Sequence, residues 1–170
     1  IGQNKLNAGG RVAYKPNEAA EIGVTLITEG VQGRKAGLLG SDLKYQINDN
    51  TEVRAEFAAS RSEFGGESTT GLAALAEITH RSENLEAKGY VREQEGGFGL
   101  GQQSGAESGT RKIGAESTYG VTQDMSITGD VYRETNLQND SNQDVAAVGV
   151  QYKANEYSVN AGLRTAVSDA

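Results

Sequence analysis

The chain has 170 residues, of which 36% are hydrophobic and 23 are glycine, and this composition is too poor in large apolar side chains for a dense soluble core. The lack of cysteine excludes disulfides, thiolate metal sites and thiol catalysis. The net charge of −7 is of the wrong sign for a nucleic-acid-binding protein, so no nucleic-acid partner is expected.

Apolar and polar residues alternate along most of the chain in windows of about ten residues, a period that favours strands over helices. Each window has about the length of a tilted strand that crosses a membrane. We predict ten strands, at residues 5–14, 20–28, 38–47, 52–60, 71–79, 85–93, 111–119, 125–133, 144–152 and 157–165.

The connections between these strands alternate in length. Five are short, with the sequences KPNEA, NDNT, HRSEN, GVTQD and KANE. Four are longer and polar, at residues 29–37, 61–70, 94–109 and 134–143. Tight turns at one rim and long loops at the other are typical of an antiparallel up-and-down β-barrel, which is the predicted fold.

Four of the short turns share a signature, in which a tyrosine precedes a small polar residue by three positions. The pairs are Tyr14 and Asn17, Tyr45 and Asn48, Tyr119 and Thr122, and Tyr152 and Asn155. The turns recur at the interval of one β-hairpin, so we interpret the chain as a hairpin repeated five times. Residues 1–170 are expected to form a single barrel domain.

Side chains of a strand point alternately to opposite faces, so each window divides into two sets. One set is apolar and rich in alanine and glycine, and we find no charge on it within the strand bodies. Typical members are Val12, Val24, Phe57, Val131 and Val148.

The other set is charged, with nine basic and eight acidic residues, and we predict that it lines the lumen of the barrel. Its members are Lys5, Arg11, Glu21, Asp42, Lys44, Glu52, Arg54, Glu56, Glu77, Glu86, Lys88, Arg92, Lys112, Glu116, Asp130, Lys153 and Arg164. The balance of signs suggests ion pairing across the lumen.

A soluble lipocalin-like barrel would bury the apolar set and is the alternative fold. Three features favour the inverted arrangement, with the apolar face towards lipid. The apolar side chains are too small in total volume for a dense core. The signs on the charged face nearly cancel, and a ring of tyrosines beside the short turns matches an aromatic belt at a membrane interface. The belt residues are Tyr14, Tyr45, Tyr119, Tyr152 and Tyr157.

With these features the whole chain resembles a bacterial outer-membrane β-barrel, and its hairpin repetition is similar to the barrel domains of large, repeat-rich bacterial surface proteins. The resemblance implies a location in the bacterial outer membrane, with the lipid bilayer as partner and other barrel strands or subunits as further partners. Such barrels usually end in an aromatic residue, whereas this chain ends in Val167, Ser168, Asp169 and Ala170. Because the first strand leads into a short turn, both chain ends are expected on the long-loop side. We therefore expect a fragment or a rearranged part of a larger protein.

Possible chemical sites are few. His80 is the only histidine and lies beside a short turn, where it is expected to take the place of a belt tyrosine. The pair Glu52 and Glu56 has the residue types of an acid and base, but Arg54 on the same face favours structural ion pairing. No catalytic residue and no cofactor is predicted.

Two polar segments contain residue types that could bind a ligand. Asn139, Asp140, Asn142 and Asp144 could offer oxygens to calcium, but they lack the spacing of a calcium-binding loop, and a solvated loop is favoured. The glycine-rich run at 96–105 lacks the spacing of a phosphate-binding loop, and a mobile surface loop is favoured.

The sequence thus predicts a membrane anchor or a narrow, porin-like passive channel that is not an enzyme. The alternative function is adhesion or ligand binding through the long loops.

Overall fold

The computed structural model describes residues 6–31, 34–99, 108–154 and 157–169. All ten predicted strands are present. They are β1 (Leu6–Asn17), β2 (Ala20–Val31), β3 (Arg34–Asn48), β4 (Thr51–Phe64), β5 (Glu67–Arg81), β6 (Leu85–Gln94), β7 (Thr110–Gly120), β8 (Met125–Asn136), β9 (Asn142–Ala154) and β10 (Tyr157–Asp169). The described residues form no helix of the length and apolarity that crossing a membrane would require.

The strands form one antiparallel sheet in which every strand pairs with its neighbours in sequence, in the order β1 to β10. This confirms the predicted all-β, up-and-down fold. Within the described ranges no ladder joins β1 to β10, so the sheet is open and each of these two strands has a free edge. Closure depends on curvature and on partners, neither of which is encoded in the alternation of a single strand.

The strands are longer than predicted at the rim where loops were expected. The expected loops at 29–37 and 61–70 are wrong, because the ladders continue to Val31↔Arg34 and to Phe64↔Glu67. The second hairpin closes through Gly65 and Gly66, whose φ angles of 60° and 90° suit a tight turn of this type. Polar residues can extend a ladder once it has formed. Their pairing leaves no hydrophobic alternation in the sequence, so the pattern did not predict these strand ends.

The repeated turn signature has a structural basis at three of its four sites. The side-chain oxygens of Asn17 and Asn48 each accept a hydrogen bond, 3.0 Å in length, from the backbone N–H two residues ahead. The Thr122 hydroxyl accepts bonds from the backbone N–H groups of Asp124 and Met125, at 3.2 and 3.0 Å. Asn155 lies outside the described residues. The small polar residue therefore closes the short turn with its own side chain.

The two faces of the sheet differ in burial. Large apolar side chains are uncovered, with exposed fractions of 76% for Val12 and 78% for Leu163. The most buried large side chains, Tyr90 and Val145, lie on the opposite, charged face. This arrangement is the inverse of a soluble barrel, whose apolar face would be inside.

Candidate functional site

The apolar face is continuous across the sheet because the register joins apolar residues to apolar residues. Val12 pairs with Val24, and Leu43 pairs with Ala55. The same pattern reaches the last ladder, in which Val148 pairs with Leu163. Every described residue of the predicted apolar set with a described side chain lies on this face.

The tyrosines of the short-turn rim follow an oblique line across the ladders. A step here means moving from a residue to its ladder partner on the next strand. Two steps from Tyr14 on β1 lead to Leu43 on β3, and Tyr45 lies two residues from Leu43 towards the short turn. Four further steps, from Tyr45 on β3, lead to Ala115 on β7, and Tyr119 lies four residues from Ala115 towards the short turn. The line therefore advances by one residue for each strand.

This advance measures the inclination of the strands to the ring of tyrosines. One residue is about 3.4 Å along a strand and neighbouring strands are about 4.8 Å apart, so the strands are inclined by about 35°. Strands of outer-membrane barrels are tilted by about 35–45°. The tyrosines therefore lie in one plane if the strands have the tilt of a membrane barrel.

His80 lies on the same line. Two ladder steps from Tyr45 lead to Ile78, and His80 lies two residues beyond it, at the position of a ring member on β5. Its Nδ1 is 2.9 Å from the Thr51 hydroxyl. The imidazole therefore has a local partner at the rim.

Ion pairs bound the apolar band at the opposite rim. On the same face, beyond the last apolar residues, Arg111 contacts Glu93 at 2.6 Å and Arg133 contacts Asp144 at 2.6 Å. These residues lie within strands, so the prediction of no charge on this face in the strand bodies is wrong at this rim. On β9 the band runs from Tyr152 to Asp144, which are eight residues apart. With a rise of about 3.4 Å and a tilt of about 35°, this is about 22 Å of height. The apolar band of an outer-membrane barrel is about 25 Å tall.

The charged face is held together by ion pairs within the wall. Arg11 on β1 reaches across Gly23 on β2 to Asp42 on β3, with contacts of 2.6 and 3.2 Å. It also contacts Glu21 at 3.1 Å, and Glu21 is 3.4 Å from Lys15. A Cβ on residue 23 would displace the Asp42 carboxylate and the Arg11 guanidinium, so Gly23 leaves the space through which this pair crosses β2.

Further predicted lumen residues pair in the same way. The pairs are Lys44 with Glu52, Arg54 with Glu56, Lys88 with Glu116, Arg92 with Glu77, and Glu86 with Arg81. These partners are on the same strand or on adjacent strands, so these pairs lie within the wall of the sheet. Pairing across a lumen stays a prediction, because the sheet is open and has no opposite wall. Lys5 lies outside the described residues, and Lys153 lies on this face at the short-turn rim.

An aromatic and basic cluster on this face was not predicted. Tyr90 and Tyr132 flank Gly114, where a Cβ would lie 2.7 Å from the Tyr90 hydroxyl and from the Tyr132 Cβ. The Lys112 ammonium is 3.7 Å from the centre of the Tyr132 ring. The Arg164 guanidinium donates a 3.0 Å hydrogen bond to the Tyr132 hydroxyl. The sequence did contain a signal for this cluster, because Tyr90 and Tyr132 are the two tyrosines that do not belong to the apolar set.

Part of the glycine-rich loop folds inward. The Gly99 N–H donates a 2.8 Å hydrogen bond to the buried Ser60 hydroxyl, and the backbone of 97–98 lies directly over Gly71. The Glu95 carboxylate accepts a 2.8 Å bond from the Leu72 N–H. The expectation of a mobile surface loop is therefore wrong for residues 95–99, which rest on the inner face because Ser60 and Gly71 provide a partner and space. Residues 100–105 of the run lie outside the described residues.

Beside this inward segment the charged face is concave. A cavity of about 260 Å³ is lined by residues of five successive strands, β4 to β8. Its charged lining residues are the acidic Glu56, Glu93 and Glu134 and the basic Arg92 and Lys112. The lining therefore offers charges of both signs to a passing solute.

The acidic loop segment uses its oxygens locally. Asn139 accepts hydrogen bonds from the Ser141 N–H and hydroxyl, and Asn142 accepts one from the Thr135 hydroxyl. Asp144 pairs with Arg133. Among the described residues no group of three or more acidic or histidine side chains is placed to hold a metal ion.

Two solved structures share this fold. The chain aligns with Acinetobacter baumannii OccAB2 at a TM-score of 0.56 and 13% identity, over 96% of this chain and 49% of that chain. It aligns with Pseudomonas aeruginosa OccK10 (OpdN) at a TM-score of 0.56 and 10% identity, over 96% of this chain and 56% of that chain. Both are outer-membrane porins, and this chain spans about half the length of each. No protein-family model and no curated protein matches the sequence.

The fold is therefore the antiparallel, up-and-down sheet of outer-membrane porins.

Proposed function

We propose that this chain forms the wall of a bacterial outer-membrane β-barrel and serves as a porin-like passive channel or membrane anchor, without catalysis. One observation carries the proposal. The sheet has an uncharged, exposed band about 22 Å tall, with tyrosines at one boundary and ion pairs at the other, opposite a concave, charged face. Charges that line a lumen and apolar residues that meet lipid account for both faces. The shared fold with outer-membrane porins supports it.

A channel is favoured over an anchor because the inner face is concave and carries charges of both signs. The inward segment 95–99 and the cluster around Tyr132 narrow the space on this face. We expect small hydrophilic solutes to pass with weak ion selectivity. Because the sheet is open, further strands or subunits complete the barrel.

Adhesion through long loops is the second function that the sequence suggested. Two of the four expected loops are shortened because the ladders continue to Val31↔Arg34 and to Phe64↔Glu67, which leaves less irregular surface for recognition. The repeated short turns support a relation to the hairpin-repeat barrels of large surface proteins, and we keep this relation as part of the proposal.

The channel is tested by refolding the chain into phospholipid vesicles and measuring conductance in a planar bilayer with a KCl gradient. Lys112→Glu changes a charge that lines the cavity and is expected to shift the reversal potential towards cation selectivity. Arg61→Glu makes the same change of charge on the opposite face at the loop rim and is expected to leave the potential unchanged.

Two results would contradict the proposal. A chain that stays folded and soluble without detergent is not a membrane barrel. Vesicle-inserted protein without conductance, or with equal shifts from both variants, would show that the charged face does not line a pore, and this would refute the channel in favour of the anchor.

A further inference from the structure

The two edges of the sheet are unsatisfied. Within the described residues β1 pairs only with β2, and β10 pairs only with β9. Alternate residues of an edge strand leave their N–H and C=O groups without a partner. Hydrocarbon offers no hydrogen bonds, so a membrane-spanning sheet cannot leave such edges open. Each edge therefore needs another strand.

The edges are complementary to each other. Nine steps from ladder partner to ladder partner lead from Tyr14 on β1 to Val167 on β10, and Tyr157 lies ten residues from Val167 towards the short turn. This is an advance of about one residue for each strand, so both tyrosines belong to the same oblique ring. The strands β1 and β10 run in opposite directions, which permits an antiparallel ladder. Setting Tyr14 opposite Tyr157 places Val12 beside Val159.

The inner face agrees with this register, because it places Arg11 beside Asn160 and no two like charges opposite each other. A shift by one residue would set the apolar face of one strand against the polar face of the other. The edges therefore specify both their orientation and their register to within a two-residue step.

We propose that the partner is a second copy of this chain, with β1 of each copy paired to β10 of the other, so that two chains close one barrel. The sheet aligns with about half of each porin chain, over 49% and 56% of their lengths, so it corresponds in extent to about half of such a chain. Both edge strands are exposed along their described lengths. A second copy related by a two-fold axis along the barrel supplies the other half and gives both edges a partner.

Closure of one chain on itself is the competing arrangement, and it requires β1 and β10 to move together and the sheet to curl more tightly. The two arrangements use the same ladder and differ in which chain supplies each strand. They also differ in the lumen, because doubling the number of strands widens a barrel. The inference rests on the proposed membrane barrel and adds the partner that completes it.

Engineered cysteines distinguish the two arrangements, because the chain has no cysteine of its own. Val12→Cys and Val159→Cys are made as separate proteins, mixed unfolded in equal amounts and refolded into vesicles of phosphatidylethanolamine and phosphatidylglycerol. After mild oxidation, up to about half of the chains should migrate as a disulfide-linked dimer, which is the statistical share of mixed pairs in a two-fold dimer. Neither protein alone should form a dimer.

The double variant with both cysteines in one chain gives a second readout. The two-chain barrel predicts a covalent dimer and no larger species. A monomer that has lost both thiols shows closure within one chain and overturns the inference, as do a ladder of larger species or thiols that stay free.

The register has its own control. Val12→Cys combined with Leu163→Cys moves the second thiol about 14 Å along β10, beyond the reach of a disulfide, and should give no cross-link. An equal yield from this pair would show random collision and overturn the inference. Protein that fails to resist carbonate extraction from the vesicles refutes the membrane barrel itself, whereas inserted protein without the dimer refutes only the second copy.

Discussion

A charge placed on the apolar band is the most direct test of the membrane-facing surface. Val148 on β9 is half exposed on that face, between Asp144 at the loop rim and Tyr152 at the short-turn rim. Val148→Arg would place a guanidinium among lipid chains if the proposal is right. It would place the guanidinium harmlessly in water if this face were solvated.

The expected loss of stability in Val148→Arg depends on how deep residue 148 lies in the bilayer. Val148 is four residues from each boundary, which is about 11 Å of height at a rise of about 3.4 Å and a tilt of about 35°. It therefore lies at the middle of the band. An arginine at the bilayer midplane of a β-barrel costs about 2–4 kcal/mol, and this reduces the folding equilibrium constant by about 1.5 to 3 powers of ten.

The neighbouring residue provides a matched control. Ala147 points to the opposite face, in a cavity of about 550 Å³ that it shares with Asp130 and Arg164. One carboxylate oxygen of Asp130 is buried without a hydrogen-bond partner among the described residues. Ala147→Arg should therefore find space, with the Asp130 carboxylate on one neighbouring strand and the Arg164 guanidinium on the other, and should cost much less than Val148→Arg.

Both variants are refolded into vesicles and titrated with urea, with the heat-dependent shift in gel mobility as the measure of folded protein. The expected result is a large loss of stability for Val148→Arg and a small change for Ala147→Arg. Equal losses, or a larger loss for Ala147→Arg, would refute the assignment of the apolar face to lipid.

Three further outcomes test other parts of the molecule. Gly114→Val crowds two tyrosine rings and should lower the free energy of unfolding by about 1–3 kcal/mol in a urea titration. Gly10→Val, which has open space at its Cβ, should lower it much less. Equal losses would argue against crowding at Gly114. Ser60→Ala removes the bond that holds the inward segment, so single-channel conductance should rise, and an unchanged conductance would show that this segment does not narrow the pore. An epitope inserted at 65–66 should bind antibody on intact cells and one inserted at 49–50 should not, and the reverse pattern would invert the orientation of the barrel.

The alternation of side chains was enough to predict the strands and their two faces. A strand repeats every two residues, so the division into an apolar and a charged set is a local property that any register preserves. Tight turns such as that after Asn48 force neighbouring strands to be antiparallel, and this determined the order of the sheet. The belt tyrosines were also found locally, because four of them precede a short turn and Tyr157 directly follows one.

The ladders and the contacts across the sheet required the tertiary structure. The continuation of β4 and β5 to Phe64↔Glu67 depends on pairing between segments that are polar and carry no alternation signal. The partner of Arg11 on β3 and the crossing over Gly23 depend on register. The inward fold of 95–99 depends on space at Gly71 and on the Ser60 hydroxyl. Local periodicity determines which face a side chain is on, whereas its partner there depends on residues far away in sequence, and only the assembled sheet brings these together.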